Sequence, residues 1–325
     1  MDVQRFQPEL TKAWDAFVAS SRNGTFYHTR RFLSSHPPDR FRDHSLLFFE
    51  KGKLVAVVPA AVKEDGGVKH FVSHPGSTHG GLVLASQNGA VITCDVVIAL
   101  LAELRAEGME KASFLRLTPG PCRKAASDDQ EYALLQAGFH LSRSELGSII
   151  FLEGLTEETL LQSFDTQCRN EVRQAERAGV VVRLCDDYDA FWPILSATLE
   201  HRHKVRPTHD QSELAHFALL FPDEVRLFGA FSEGKLIAGI VTVALTDHAV
   251  YTKYMAQDYA FQKKRPVNLL LTEVMRFCLK EGKTILDLGV SMEEGGPRGI
   301  NEGLFAFKEG FGARSVRRES FTIDL

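Results

Sequence analysis

Asp287 stands in the run Ile285-Leu286-Asp287-Leu288-Gly289, a carboxylate inside an otherwise apolar strand-like segment. Burying such a group is costly unless it is paired or used. It therefore either does acid–base or positioning work on a substrate, or forms a salt bridge to an interior arginine or lysine. Upstream, Lys263, Lys264 and Arg265 stand together after Gln262. Three adjacent cations either hold a phosphate by charge or make a solvated basic turn. Arg169, Arg173 and Arg177 fall on one helical face at i, i+4 and i+8. That stripe suits an anion, although Glu171 and Glu176 partly neutralise it and a solvated face is the simpler reading.

Two further segments hold polar side chains in a suggestive pattern. His201–His209 is rich in histidine. Residues two apart on a helix point apart, and no carboxylate at metal spacing completes a set, so no metal site is expected. In "HPGSTHGG" (His74–Gly81), Gly76, Gly80 and Gly81 permit close approach of a substrate or shape a turn, with His79 beside them.

The elements that must position these residues are written twice. "FEKGKLVAVVP" (Phe49–Pro59) returns as "FSEGKLIAGIV" (Phe231–Val241). Each copy has two apolar, β-rich runs about a short Gly-containing connection, which is a hairpin signal. "ASFLRL" (Ala112–Leu117) is matched by "TILDLG" (Thr284–Gly289), and "LLQAGF" (Leu134–Phe139) by "AFKEGF" (Ala306–Phe311), in the same order. A whole domain is repeated, with a boundary near residue 150: 1–150 and 151–325. Each half reads helix, hairpin, strand, helix, strand, helix, strand, which predicts an α/β (α+β) fold with a mixed sheet flanked by helices. In the second half the pattern predicts helices over Asp187–His203, Gln211–Leu220, Pro266–Glu281 and Glu302–Gly310. Strands are expected over Val225–Phe231, Lys235–Leu245, Ala249–Gln257, Thr284–Gly289 and Ala313–Asp324. Pro266 suits a first helical position and Gly282 a helix end. Between the halves, "TEETLLQSFDTQCRNEVRQAERAG" reads as helix, capped by Thr156 and stopped at Gly179.

Composition narrows the classes. The chain has 325 residues, 44% of them hydrophobic and 25% charged, and a net charge of −4. The first 150 residues carry 17 basic and 16 acidic side chains and the rest 21 and 26, so neither half is a strongly basic nucleic-acid binder. No apolar run reaches a membrane span and no signal peptide is evident. The five scattered cysteines lack a C-x-x-C pair, which predicts a reducing cytoplasm.

The hairpin type together with the terminal helix-Gly-Phe-strand resembles the GNAT acyltransferase fold. Two such halves resemble the FemAB-type family and the BioF2-like acetyltransferases. The residues that carry the resemblance are "FYHTRRFL" (Phe26–Leu33), "HPGSTHGGLVL" (His74–Leu84), "RNEVRQAERAGV" (Arg169–Val180), the repeated hairpin, "FQKKRPVNLLLTEVMRFC" (Phe261–Cys278), "LDLG" (Leu286–Gly289) and "GLFAFKEGFGA" (Gly303–Ala313).

The resemblance implies transfer of an acyl or aminoacyl group to an amine, with no tightly bound cofactor. It implies acyl-CoA or aminoacyl-tRNA as donor, tRNA then being a partner, and a small-molecule or envelope-precursor acceptor. Such a reaction needs a neutral amine, a stabilised oxyanion and an aligned donor. An activated serine or cysteine is not needed. The donor-loop pattern Q/R-x-x-G-x-G/A matches Gln262–Val267, with Arg265 and Val267 where glycines stand. By the same resemblance Asn268 and Tyr254 belong to the donor side, while Tyr251, at odd spacing from Tyr254, is expected on the opposite face. Ala306 replaces a tyrosine common in GNAT enzymes. Phe307-Lys308 instead resembles the Phe-Lys pair of FemAB-type transferases, which makes Lys308 the first candidate for oxyanion or ester stabilisation and Asp287 the second catalytic candidate. Arg202, Arg206, His79 and Gly80 are the expected acceptor side. Ser34-Ser35 stands where some precursor users have a phosphate-binding lysine. A catalytically silent binding module is the reading from another class.

Overall fold

The structure is a computed structural model and describes residues 1–203, 211–293 and 298–325, with the side chains of 201–203 excepted. Arg206 and the Arg202 side chain therefore lie outside the described residues. The chain divides into two compact units, Met1–Glu145 with Arg317–Leu325, and Leu146–Val316. The C-terminal residues, which the sequence assigns to the second half, group with the first. No helix among the described residues is long and apolar enough to cross a membrane.

The first unit contains β1 (Asp2–Arg5), α1 (Thr11–Ser20), α2 (Arg30–Leu33), β2 (Arg42–Asp43), β3 (Leu46–Glu50), β4 (Lys53–Val58), β5 (Ala61–Asp65), β6 (Val68–Ser73), β7 (Val83–Leu84), α3 (Ala90–Ala106), β8 (Lys111–Phe114), α4 (Asp129–Gln136) and the start of β9 (His140–Phe151). β1, β3, β4 and β7 pair antiparallel in that order. β6 pairs antiparallel with β5 and parallel with β8, which also pairs antiparallel with the last residues of the chain. Phe48, Phe71, Leu100, Phe114 and Phe139 lie in its main core.

The second unit continues from β9 through α5 (Thr166–Arg177), β10 (Val181–Cys185), α6 (Tyr188–His203), α7 (Gln211–Leu220), β11 (Val225–Ser232), β12 (Lys235–Ala244), β13 (Ala249–Gln257), α8 (Pro266–Lys280), β14 (Ile285–Val290), α9 (Glu302–Gly310) and the start of β15 (Arg314–Asp324). Its sheet runs β10-β11-β12-β13-β14-β9, antiparallel except for β13 and β14. α8 buries Leu270, Leu271, Val274, Met275 and Cys278 against Phe228, Ile240, Val250 and Leu286 on one face of the sheet. α6 covers the other face, where a Cβ on Gly239 would meet the Phe191 ring at 2.5 Å.

The two hairpins agree in detail. Lys51-Gly52 and Glu233-Gly234 have φ of 50°, 75°, 53° and 80°. Two successive left-handed residues define the type I′ turn that matches strand twist. Each hairpin also shifts register at the same place, between Phe48 and Phe49 and between Ala230 and Phe231.

The linker helix is shorter than expected. Leu160–Ser163 forms a 3-10 turn, and α5 is capped by Asp165, which accepts from Cys168 N at 2.6 Å. Thr156 instead exchanges hydrogen bonds with Thr159. A carboxylate accepts a cap bond at least as well as a hydroxyl. Gly179, at φ 70°, follows the helix end as expected.

Candidate functional site: a forked sheet in the second unit

β13 and β14 pair in parallel at Ala249↔Ile285, Val250↔Leu286 and Tyr251↔Asp287, and no further. β13 stays paired with β12 to Gln257, and β14 with β9 to Val290. Each strand thus follows its outer neighbour, and the sheet forks beyond Tyr251 and Asp287. Backbone groups along the diverging arms need other partners.

On the β14 arm those partners are identifiable. Asp287 is fully buried, and its Oδ1 accepts from Gly289 N at 2.8 Å. Gly289 has φ 71°, which turns the chain out of extended geometry. The ammonium of Lys308, whose residue is 3% exposed, donates to Leu288 O at 2.7 Å, Gly289 O at 3.1 Å and Val290 O at 3.2 Å. An ammonium has three N–H donors, and each of these carbonyls matches one. Lys308 and Asp287 therefore meet at one three-residue segment, which they hold from its carbonyl and amide sides. Phe307 packs on Phe311, with ring centroids 5.2 Å apart, at the edge of the apolar core.

The β13 arm carries a bulge. Val241 opposes Tyr254 and Thr242 opposes Thr252, so Lys253 is an extra residue. This corrects the expectation for the two tyrosines. Tyr251 opposes Val243 and Tyr254 opposes Val241, two positions on one face of β12. The inserted residue thus brings Tyr251 and Tyr254 to the same face, the one α6 covers. Tyr251 lies against Gly289, 3.4 Å from where a Cβ there would sit. Lys253 places Nζ 5.6 Å from the Tyr254 ring centroid and 5.7 Å from that of Phe217 in α7. Burial lowers its pKa to about 8. Sequence reasoning passed over Lys253. The signal was the run Tyr251-Thr252-Lys253-Tyr254, polar in four successive positions of a strand.

The expected donor loop follows β13. Residues Tyr259–Lys264 form a 3-10 turn, and Arg265 takes φ 53°, ψ 42° before Pro266 opens α8. Arg265 thus has the left-handed conformation for which a glycine is the easy choice. Gln262 O accepts from Arg265 N at 3.0 Å. Lys264 donates to Ser232 Oγ at 2.8 Å, while Lys263 is exposed and its carbonyl accepts from Gln174 Nε2 at 2.7 Å. Glu171 of α5 sits between Arg265, at 3.3 Å, and Asn268, whose Nδ2 donates to it at 3.0 Å. The arginine stripe on α5 is mostly turned outward: Arg173 and Arg177 are exposed, and Arg169 bonds Gln162 O at 3.4 Å.

The expected acceptor residues of the first unit are interior. His79 is fully buried, and burial, then the Arg318 charge, hold its pKa well below 6.5. His28 donates from Nε2 to Gly80 O at 3.3 Å and accepts at Nδ1 from Thr25 N at 3.1 Å; burial lowers its pKa to about 4. A Cβ on Gly80 would lie 2.0 Å from Ser73 O, so this glycine serves close approach to the unit's own backbone.

Residues 162–308 match the Acetyltransferase (GNAT) domain family. No curated protein matches the chain in sequence. Among solved structures, FemX shares 14% identity over 100% of this chain and 98% of its own, with a TM-score of 0.75. A tandem GNAT protein from the clavulanic acid biosynthesis pathway shares 13% over 99% and 98%, with a TM-score of 0.58. The L-PGS structure from Bacillus licheniformis shares 12% over 98% and 92%, with a TM-score of 0.60. The chain has the tandem GNAT fold, and its residues 162–308, which contain the fork, the expected donor loop and Lys308, match the Acetyltransferase (GNAT) domain family.

Proposed function

We propose that the second unit transfers an acyl or aminoacyl group from an activated donor to an amine, with the β13–β14 fork as the reaction site. The observation that carries this reading is the juxtaposition at the fork. Tyr251, Tyr254 and Asp287 share one face beside two diverging strand arms, inside the segment that matches the family. The donor phosphate is assigned to the basic turn Gln262–Arg265 and the start of α8. Pro266 supplies no N–H there, so charge carries more of the binding than in a glycine-rich loop. Lys308 acts on the reaction through the backbone segment it holds, and Asp287 through the same segment.

The donor is an acyl-CoA thioester or an aminoacyl-tRNA ester. The FemAB resemblance supports an envelope-precursor amine as acceptor, with Arg202 and Arg206 on the acceptor side, and a cytoplasmic site of action. Acetyl-CoA and a mixed aminoacyl-tRNA pool separate the donors. Saturable thermal stabilisation by acetyl-CoA, worth about 2.7 kcal/mol at a hundredfold excess over Kd, supports the thioester. Transfer from aminoacyl-tRNA without that stabilisation supports the ester. If neither donor binds or reacts, the reading is wrong and a binding module replaces it.

A further inference from the structure

The fork holds two lysines in different settings. Lys308 has carbonyl acceptors for three N–H donors, so its charge is built into the scaffold. Lys253 is different in three respects. It is the inserted residue of the bulge, two places beyond the last parallel pair, Tyr251↔Asp287. Its Nζ lies among aromatic faces, Tyr254 on its own strand and Phe217 on α7. As a residue it is partly buried, whereas Lys308 is 3% exposed. The geometry points to Lys253 as the proton acceptor of the transfer reaction, the group that receives the proton released as the amine attacks. This assignment rests on the acyltransferase reading above and names a catalytic group for it.

The chemistry balances without an added reagent. The acceptor nitrogen forms a C–N bond to the donor carbonyl carbon, and the C–S bond of a thioester breaks, or the C–O bond of an ester. The nitrogen gives up one proton, which passes to neutral Nζ. The leaving thiolate or alkoxide takes up one proton, which Lys253 returns. A lysine can act as a base only where its amine is neutral near working pH. Burial favours that form, and the ring faces, at 5.6 and 5.7 Å, return only part of what burial removes.

Ionisable groups stand on each of the described elements packed against β13. β13 itself adds Tyr251 and Tyr254, β14 adds Asp287, and β12 adds Lys235, which pairs with Asp258 at 3.1 Å. α6 contributes Tyr188, Asp189 and Glu200 among its described side chains, and α7 contributes Glu213 and His216. α8, on the opposite face, contributes Glu273, Arg276 and Lys280, the first two paired with each other.

The test uses the full chain and two independent readouts. First, lysines are trace-labelled with acetic anhydride across pH and quantified by mass spectrometry. Lys253 should label with a midpoint near 8, with the exposed Lys51 and Lys63 as internal references. Second, kcat/KM is measured against pH with the working donor and hydroxylamine, an acceptor already neutral across the range scanned. The wild-type profile should rise through the same midpoint. Lys253→Arg keeps a charge but cannot accept a proton, and should lose that limb and about 100-fold or more in kcat/KM. Lys253→Met should lose the limb too. If Lys253 titrates with the exposed lysines, or Lys253→Arg keeps the wild-type limb, the assignment is overturned while the acyltransferase reading stands. A wild-type chain that transfers nothing from either donor sinks both.

Discussion

The two units answer one structural problem in two ways. In the first, β6 runs parallel to β8 as far as Ser73↔Phe114, and in the second β13 runs parallel to β14 as far as Tyr251↔Asp287. Two residues beyond the last pair each unit has a left-handed residue, Arg116 at φ 46° and Gly289 at φ 71°. The carbonyls at this kink need donors. In the first unit the chain's own loop supplies them: Gly80 N donates to Leu115 O at 3.0 Å and lies 3.2 Å from Arg116 O, and Gly80 bridges Leu117 in parallel. In the second the donor is a side chain, Lys308, reaching from another helix. The first fork is thus filled by backbone, whereas the second is completed by side chains. Side chains can be exchanged without rebuilding the backbone of the sheet, and most of the candidate site residues lie in that unit.

The plug of the first fork is the most fragile part of this contrast. A Cβ on Gly80 would lie 2.0 Å from Ser73 O and 2.7 Å from Leu115 O, and both neighbours are backbone. Gly80→Ala should cost upwards of about 4 kcal/mol, among the largest effects a single substitution has. Urea denaturation followed by circular dichroism measures this, and an unchanged midpoint would mean the loop does not plug the fork. A somewhat smaller effect is expected in the second unit. Lys308→Met keeps the length of the side chain and leaves three carbonyls without their donor, which should cost about 2–4 kcal/mol. Its value lies in what accompanies it. A lysine that only met the oxyanion would lose rate with stability intact. A lysine that holds the β14 arm loses both, and the Gly289 and Val290 amides should exchange faster with deuterium.

Much of this frame was legible in the residues. The hairpins announced themselves because Lys51-Gly52 and Glu233-Gly234 supply the left-handed pairs a tight turn demands. α8 was marked by proline at its start and glycine after its end. The polarity of Asp287 in an apolar strand drew attention to β14, but it did not reveal the bond Asp287 accepts from an amide two residues on. Such local bonds depend on φ and ψ, which a strand pattern does not encode. The bulge at Lys253 was hidden for the same reason. Strand alternation assumes an unbroken period of two, and one inserted residue brings Tyr251 and Tyr254 to one face. Pairing of the chain's last residues with β8 is a contact distant in sequence, and no local signal marks it. Thr156 and Asp165 are both competent caps by type, and packing chose Asp165.

The smallest effect concerns the turn Gln262–Val267, proposed above to hold the donor phosphate, where arginine and valine replace the glycines of the GNAT pattern. Arg265 sits at φ 53° with no side-chain cap, a conformation that costs a residue with a Cβ about 1–2 kcal/mol. Arg265→Gly removes that strain, but it also frees the unfolded chain and gives up the ion pair to Glu171 at 3.3 Å, worth at most about 1 kcal/mol for a guanidinium 41% exposed. These terms nearly cancel, so stability should stay within about 1 kcal/mol of wild type. Donor affinity then isolates what the guanidinium does. If the turn binds phosphate through its backbone, the glycine variant keeps or tightens its affinity for the working donor, because nothing shields the start of α8. If affinity falls tenfold, about 1.4 kcal/mol, Arg265 holds the phosphate by charge. In that case the missing glycine reflects a different means of gripping the same donor group, with Glu171 as the counter-charge that holds Arg265 when no phosphate is there.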